Sequence, residues 1–214
     1  MPHAHAYDYP LGVSDTPDHY FSASPASADE RRTINVPLAG VTRPVQVAPG
    51  VFSAERIDQG TSVLLQHAPE PPLTGTFLDL GCGWGPIALS LGLRSPDAQV
   101  WGVDVNERAL DLARGNASSL ELSNVQVGTA DAVPADVRFD LIWSNPPIRV
   151  GKSVLHDLLL AWLPRLAPSG VAYLVVQRNL GSDSLQRWLV EQGFPTERFT
   201  SVRGFRILQV SARA

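Results

Sequence analysis

Apolar and polar positions along the chain follow one rhythm before residue 76 and another after it. Upstream, Thr33 to Val36 and Arg43 to Val47 each alternate apolar with polar residues and are separated by Leu38-Ala39-Gly40, which predicts a small hairpin. Pro37, Pro44 and Pro49 favour edge strands there. Asp58 can cap a short helix through Thr61 to Leu65, and Ala68-Pro69-Glu70-Pro71-Pro72 breaks the chain after it. Downstream, short apolar strands alternate with helical periods. Thr76 to Leu80 is followed by a helix over Pro86 to Leu93, and Val100 to Val103 by a helix over Asn106 to Ala117 with Asn106 as its N-cap. Strands at Val125 to Val127 and Phe139 to Trp143 lead to a long helix. Its Leu155, Leu158, Leu159, Trp162, Leu163 and Leu166 share one face, and Pro164 should end or kink it. Val171 to Val176 suits a central parallel strand, and Leu185, Trp188 and Leu189 mark a helix before Gly193. Arg198 to Ser201 and Phe205 to Val210 lie too close in sequence for a parallel crossover, so this last pair must be antiparallel.

That order predicts an α/β fold, a doubly wound and mostly parallel sheet, with a C-terminal antiparallel hairpin and a small N-terminal β-hairpin extension. Residues 1–18 read as a loose arm and residues 19–214 as one domain, divided into an extension over 19–72 and a core over 73–214. With 214 residues, 44% hydrophobic and 18% charged, the chain can bury one sizeable core but hardly two. No apolar run is long enough to cross a membrane, which makes the cytoplasm the expected location. The lone Cys82 excludes an intrachain disulfide framework, and His3 and His5 have no third ligand nearby, so no metal is expected. A net charge of -4 argues against holding nucleic acid by overall attraction, while a local basic patch stays open. Oligomeric state is not legible, and a monomer is the default.

Ligands of doubly wound sheets bind beyond the strand carboxyl ends. Four such ends carry unusual residues. Asp79-Leu80-Gly81-Cys82-Gly83-Trp84-Gly85-Pro86 leaves a strand and enters a helix, where glycines let the backbone turn tightly and a ligand come close. The spacing is GxGxG, and Pro86-Ile87 stands where a phosphate loop would place Lys and Ser or Thr. Pro86 also removes a helix-start donor that a pyrophosphate would use. Nucleoside triphosphates and dinucleotides therefore fit poorly. A ligand with an adenosine but no phosphate fits better, and Asp79 is available to pair with an ammonium group, the plainer alternative being a turn residue. Asp104 follows Gly81 by 23 residues, close to the separation at which an acidic side chain receives a ribose diol. Capping the next helix is its alternative, a task Asn106 fills better. Asp131 can accept from an adenine amino group or serve as a solvated turn residue. Trp84 is either a ligand contact or a packed indole.

The fourth end, Ser144-Asn145-Pro146-Pro147-Ile148, places an amide and two rigid prolines where a strand leaves the sheet. An exocyclic amine is a poor nucleophile because its lone pair is delocalised into the ring. A site helps by accepting both amine hydrogens and aiming the lone pair at the reacting carbon. Asn145 Oδ1 and the Pro146 carbonyl can do this, and Pro146 and Pro147 supply no competing backbone donors. Arg149 and Lys152, with Arg31, Arg32, Arg43 and Arg56, are either phosphate contacts or a solvated face.

On these segments, together with His19-Tyr20-Phe21-Ser22, Gly50-Val51-Phe52-Ser53, Asp58-Gln59-Gly60-Thr61 and Gly102 to Leu110, the chain resembles class I S-adenosylmethionine methyltransferases of the small-subunit ribosomal RNA guanine-N2 type, over His19 to about Val210. The resemblance implies a Rossmann-like fold and S-adenosyl-L-methionine as cofactor. It implies Asp79, Gly81, Gly83 and Gly85 around the methionine end, Asp104 on the ribose and Asp131 on the adenine. Asn145, Pro146 and Pro147 would receive the target amine, with ribosomal RNA or a ribosomal subunit as partner. Larger members carry a duplicated, inactive amino-terminal domain that this length does not accommodate. Ile148 stands where many amino-methylating relatives have an aromatic residue, which leaves base stacking to Tyr20, Phe21 or Phe52, for which core packing is an equal reading. Three alternatives are a methyltransferase acting on a protein glutamine amide, a nicotinamide-dependent oxidoreductase, disfavoured by the GxGxG spacing and Pro86, and a catalytically silent RNA- or protein-binding module.

Overall fold

The computed structural model describes residues 29–213, so the arm expected over residues 1–18, together with Tyr20 and Phe21, lies outside the described residues. Strands β1 (Arg32–Leu38) and β2 (Val41–Val47) pair antiparallel from Arg32↔Val47 to Leu38↔Val41. The turn between them is Ala39-Gly40 with φ of 49° and 80°, the conformation that matches the twist of a tight hairpin. Alternate residues Val36, Leu38, Val45 and Val47 are buried. Pro37 and Pro44 are tolerated because this sheet has only these two strands, both of them edges. Helix α1 (Gln59–His67) begins at Asp58, whose side chain accepts from the Gly60 and Thr61 N–H groups.

The remaining elements are β3 (Thr74–Leu80), α2 (Pro86–Arg94), β4 (Asp97–Val103), α3 (Glu107–Ser119), β5 (Val125–Gly128), β6 (Phe139–Ser144), α4 (Lys152–Trp162), β7 (Leu166–Gln177), α5 (Ser182–Glu191), β8 (Thr196–Val202) and β9 (Phe205–Ser211). The seven strands from β3 onward form one sheet in the order β5-β4-β3-β6-β7-β9-β8. Parallel pairing joins β5 through β7, whereas β9 runs antiparallel to both β7 and β8. This is the expected doubly wound fold with its terminal hairpin.

The sheet is covered on both faces, as a parallel sheet requires. Leu78, Ile142, Leu174 and Leu208 pack with Leu155 and Leu159 of α4 and Leu185 and Leu189 of α5. Phe77, Leu141, Val175 and Ile207 pack with Val63 and Leu64 of α1 and Ile87 and Leu91 of α2. The buried face of the N-terminal hairpin completes a third cluster with Trp84, Leu89 of α2 and Ala109 and Leu112 of α3.

One junction differs from the periodicity reading. Helix α4 ends at Trp162, Pro164 lies in a 3₁₀ turn over Leu163–Arg165, and Leu166 opens β7 by pairing with Phe139. Proline restricts the residue before it and cannot donate into a helix, so the chain leaves the α conformation here. Leu166 keeps the helical spacing only because it joins the same core cluster from the strand. Strand order reverses between β3 and β6, so their carboxyl ends mark the switch point where ligands of such sheets bind.

Candidate active site

A cleft at that switch point is lined by Gly81 and Gly83 from the loop after β3, Asp58 and Thr61 at the start of α1, Asn145 after β6, and Phe52. The loop is held to its neighbour strand by the Gly81 and Cys82 N–H groups, which donate to the Val103 carbonyl at 2.8 and 3.0 Å. Gly81 and Gly83 adopt φ of 79° and 54°, and a Cβ on either would meet nothing within 4 Å. Backbone conformation therefore demands glycine at both, and their cleft faces stay open to a ligand. Gly85 has a different task. With φ of 100° it starts α2, and a Cβ there would lie 3.3 Å from Ala113 Cβ and Leu89 Cγ, so its bareness lets α2 and α3 pack closely. It does not line the cleft. Cys82 is buried, and burial drives its thiol well above the ordinary value, which keeps it out of nucleophilic chemistry.

The three aspartates occupy distinct surroundings. Asp79 is wholly buried beneath the glycine loop. Its Oδ2 accepts from the Ala88 N–H at 2.9 Å, while Oδ1 has no partner among the described residues. Burial, reinforced by the Asp104 charge and opposed by the Ala88 hydrogen bond, pushes its carboxyl up to about 8. Asp104 closes the loop from β4. Its Oδ2 accepts from Gly83 N–H at 2.8 Å, and its Oδ1 accepts from Val105 and Asn106 N–H at 2.8 and 3.0 Å. Of roughly four acceptor positions on a carboxylate, three are thus used within the protein. Oδ2 keeps one position beside the Gly83 contact, so a diol can be received at both oxygens only if the Val105 or Asn106 contact on Oδ1 is shared or released. Asn106 caps α3 as expected, its Oδ1 accepting from Ala109 N–H. Asp131 sits in an exposed turn over Ala130–Ala132 and accepts from the Thr129 hydroxyl, which holds its carboxyl below the ordinary value.

Asn145 follows the last residue of β6. Its Nδ2 donates to Asp58 Oδ2 at 2.8 Å and to Thr61 Oγ1 at 3.1 Å. An ionised carboxylate can only accept, so the contact fixes which side of the amide is nitrogen and leaves Oδ1 turned to other partners. Beneath the amide lies Gly60, where a Cβ would come within 3.2 Å of both Asn145 polar atoms. Ser144 ties the base of the loop to β3 by donating from Oγ to the Leu80 carbonyl at 2.6 Å. The Pro146 carbonyl accepts from Ile148 N–H at 2.8 Å and retains its second lone pair, and Pro147 leads into a 3₁₀ turn over Ile148–Val150.

Other expected residues divide by surroundings. Phe52 is exposed at the cleft, as a stacking role requires, whereas Ile148 packs half-buried against the cluster beneath α4 and α5 and does not line the cleft. Trp84 takes the packing alternative: it is buried, with Nε1 donating to the Ser53 carbonyl at 3.2 Å. Arg149 and Lys152 are exposed beside the Asn-Pro-Pro loop. Arg31 pairs with Asp29 and Arg32 with Glu55 near the N-terminal hairpin. Asp58 and Thr61 as partners of Asn145 escaped the sequence reading, which placed Asp58 as a helix cap and put both residues in a segment of the family resemblance without a role at the site.

A family model described as the methyltransferase small domain matches residues 43–209. The uncharacterized protein YbxB of Bacillus subtilis is 35% identical over 170 residues, covering 78% of this chain and 85% of that protein. Ribosomal RNA small subunit methyltransferase C of Pseudomonas entomophila is 37% identical over 138 residues, which are 64% of this chain and 40% of that protein. Among solved structures, the 16S rRNA N2 methyltransferase RsmC of T. thermophilus, in complex with AdoMet and guanosine, superposes with a TM-score of 0.74 at 27% identity. That match covers 88% of this chain and 52% of the other, so the chain spans about half, or less, of these two larger proteins.

Proposed function

The chain belongs to the methyltransferase small domain family, and from that premise we propose that it transfers a methyl group from S-adenosylmethionine to the exocyclic amine N2 of a guanine in small-subunit ribosomal RNA, a cytoplasmic task. The orientation of Asn145 carries this reading. With Nδ2 held by Asp58 and Thr61, Oδ1 is free to accept one hydrogen of an incoming amine, and the Pro146 carbonyl offers a lone pair for the other. Acceptors held rigidly before the substrate arrives cost little reorganisation during reaction. An amine so held keeps its nitrogen lone pair directed out of the hydrogen-bonding plane, toward the glycine loop.

The same cleft fits the methyl donor. Gly81 and Gly83 present open faces, and the buried Oδ1 of Asp79 lacks a partner among the described residues. Gly81 and Asp79 would hold the methionine end, Asp104 the ribose and Asp131 the adenine. When bound, S-adenosylmethionine supplies an electrophilic methyl group on a sulfonium. Phe52, exposed at the cleft, would stack on the acceptor base. The base must be unpaired or extruded to reach Asn145.

The test offers tritiated S-adenosylmethionine and, separately, naked ribosomal RNA, small ribosomal subunits and release-factor protein to the purified chain, followed by mass spectrometry of the nucleosides. Label recovered as N2-methylguanosine supports the assignment. Label on protein alone overturns the RNA acceptor and leaves the methyl donor in place.

A further inference from the structure

The amine site lies at the foot of a step in the sheet. Strand β6 ends at Ser144, which pairs with Leu174, while β7 continues to Gln177, three residues further. At the rise of an extended strand this is about 10 Å. Gln177 pairs with Phe205 at the start of β9, and Arg178 N–H donates to the Gly204 carbonyl at 2.8 Å, so the end of β7 and the β8–β9 turn form one ledge. Arg178 and Arg203 stand on it, both exposed. Arg149 and Lys152 lie below, in the segment that leaves Asn145 and enters α4. None of these four cations is ion-paired among the described residues.

On the side of the N-terminal hairpin three cations have acidic neighbours, whereas Arg43 and Arg56 have no ion pair among the described residues. Arg31 and Arg108 both approach Asp29, and Arg32 approaches Glu55. Of the acidic groups near the ledge, Asp183 faces Arg206 and Arg198, whereas Asp157 meets no cation within ion-pair distance among the described residues and accepts only from Ser153 Oγ. Arg178 and Arg203 therefore continue the unpaired cations Arg149 and Lys152 in one direction, from Asn145 across β6 and β7 to β9. Two strand spacings in that direction span about 10 Å, the length of about three stacked nucleotides.

We propose that the RNA strand leaves the amine site along this ledge, with Arg178 and Arg203 contacting backbone phosphates beyond those met by Arg149 and Lys152. The proposal rests on the RNA reading above and adds to it a path and two residues. Phosphate contacts of this kind position the strand without reading its sequence, and each displaces condensed counterions.

The experiment measures filter binding of a single-stranded ribosomal RNA fragment across a salt series. It compares the unmodified protein, the double variant Arg178→Ala/Arg203→Asn and the opposite-side variant Arg31→Ala/Arg32→Ala. Asparagine is chosen because Arg203 has a φ of 48°, a conformation asparagine tolerates well. The ledge variant should bind RNA about tenfold more weakly, with its log–log salt slope reduced by about 1.4, or about 0.7 per lost phosphate contact. The opposite-side variant should stay within about twofold, and S-adenosylmethionine binding by calorimetry, which also reports correct folding, should be unchanged in both. RNA binding that survives loss of the ledge residues but not of Arg31 and Arg32 overturns the path and leaves the RNA reading intact. An unmodified protein that binds no RNA at any salt overturns both. Should the ledge variant lose cofactor binding as well, Arg178→Gln alone is measured, and an unaltered salt slope there overturns the path.

Discussion

The Asn145 amide nitrogen lies 2.8 Å from the carboxylate of Asp58, a residue 87 positions earlier in the chain that also caps α1. One carboxylate oxygen thus starts a helix and aims an amide. Separating the two tasks is feasible because serine caps helices well but is too short to reach Asn145. Asp58→Ser should keep the melting temperature near that of the unmodified protein and lower kcat about tenfold with KM unchanged, whereas Asp58→Asn should recover part of the loss. Asn145→Ala should lower methyl transfer on the order of a hundredfold and leave cofactor affinity intact. Single-turnover kinetics beside calorimetry measures both, and an unchanged rate in Asn145→Ala removes the amide from the mechanism.

Gly60 has a consequence that runs against helix propensity. Alanine is favoured over glycine inside a helix by about 1 kcal/mol. Here, however, the added Cβ would sit 3.0 Å from Asp58 Oδ2 and 3.2 Å from both Asn145 polar atoms. Gly60→Ala should therefore reduce turnover about tenfold without loosening cofactor binding. Turnover equal to that of the unmodified protein would show that the amide can shift without cost.

Asp104→Ala removes both the proposed ribose acceptor and the partner of three backbone N–H groups. Cofactor affinity should fall about ten- to a hundredfold, or about 1.5–3 kcal/mol. The melting temperature should fall as well, because the glycine loop loses the Gly83 tie to Asp104 and keeps only the Gly81 and Cys82 bonds to Val103. Calorimetry paired with thermal unfolding separates this variant from Asn145→Ala, in which only chemistry suffers.

Asp79 links stability to pH. Its folded-state value of about 8 lies above the ordinary 3.8, so between these values the folded protein keeps a proton that the unfolded chain has lost. The stability of the ligand-free protein should therefore fall as pH rises from about 4 to about 8, by at most about 1.4 kcal/mol per pH unit from this group, and level off above. Asp79→Asn cannot ionise and should flatten this decline. Urea unfolding at several pH values across that window gives the comparison, and parallel curves for the two proteins would exclude the buried carboxyl as the source.

A related outcome concerns the ligand. At neutral pH a carboxyl with a value of about 8 is mostly protonated, and a nearby ammonium group lowers that value. If Asp79 answers the methionine ammonium, cofactor binding should release close to one proton near pH 7. Binding enthalpies measured in buffers of different ionisation enthalpy report this directly. Asp79→Asn should abolish the buffer dependence.

Local patterning alone determined most of the fold. Strand and helix periods marked every strand and α-helix of the sheet, and the short Val202-Arg203-Gly204 connection required the antiparallel end, because a parallel return needs a crossover. It determined the glycine loop, the Asn106 cap and the Asn-Pro-Pro segment for the same reason: each is a property of a few neighbouring residues. Where helical spacing ran on into Leu166, the pattern misled, since a strand residue facing the same core cluster keeps the same apolar identity. Tertiary structure alone decided which glycines face the cleft, because Gly85 differs from Gly81 and Gly83 in having Leu89 of α2 and Ala113 of α3 against it. It alone buried Asp79 and brought Asp58 and Thr61 to Asn145, partners 87 and 84 residues apart. Their sequence signal is that of an ordinary helix cap, and a hydrogen bond across such a separation leaves no periodic trace. It exists because α1 packs on the sheet and carries Asp58 and Thr61 to the end of β6.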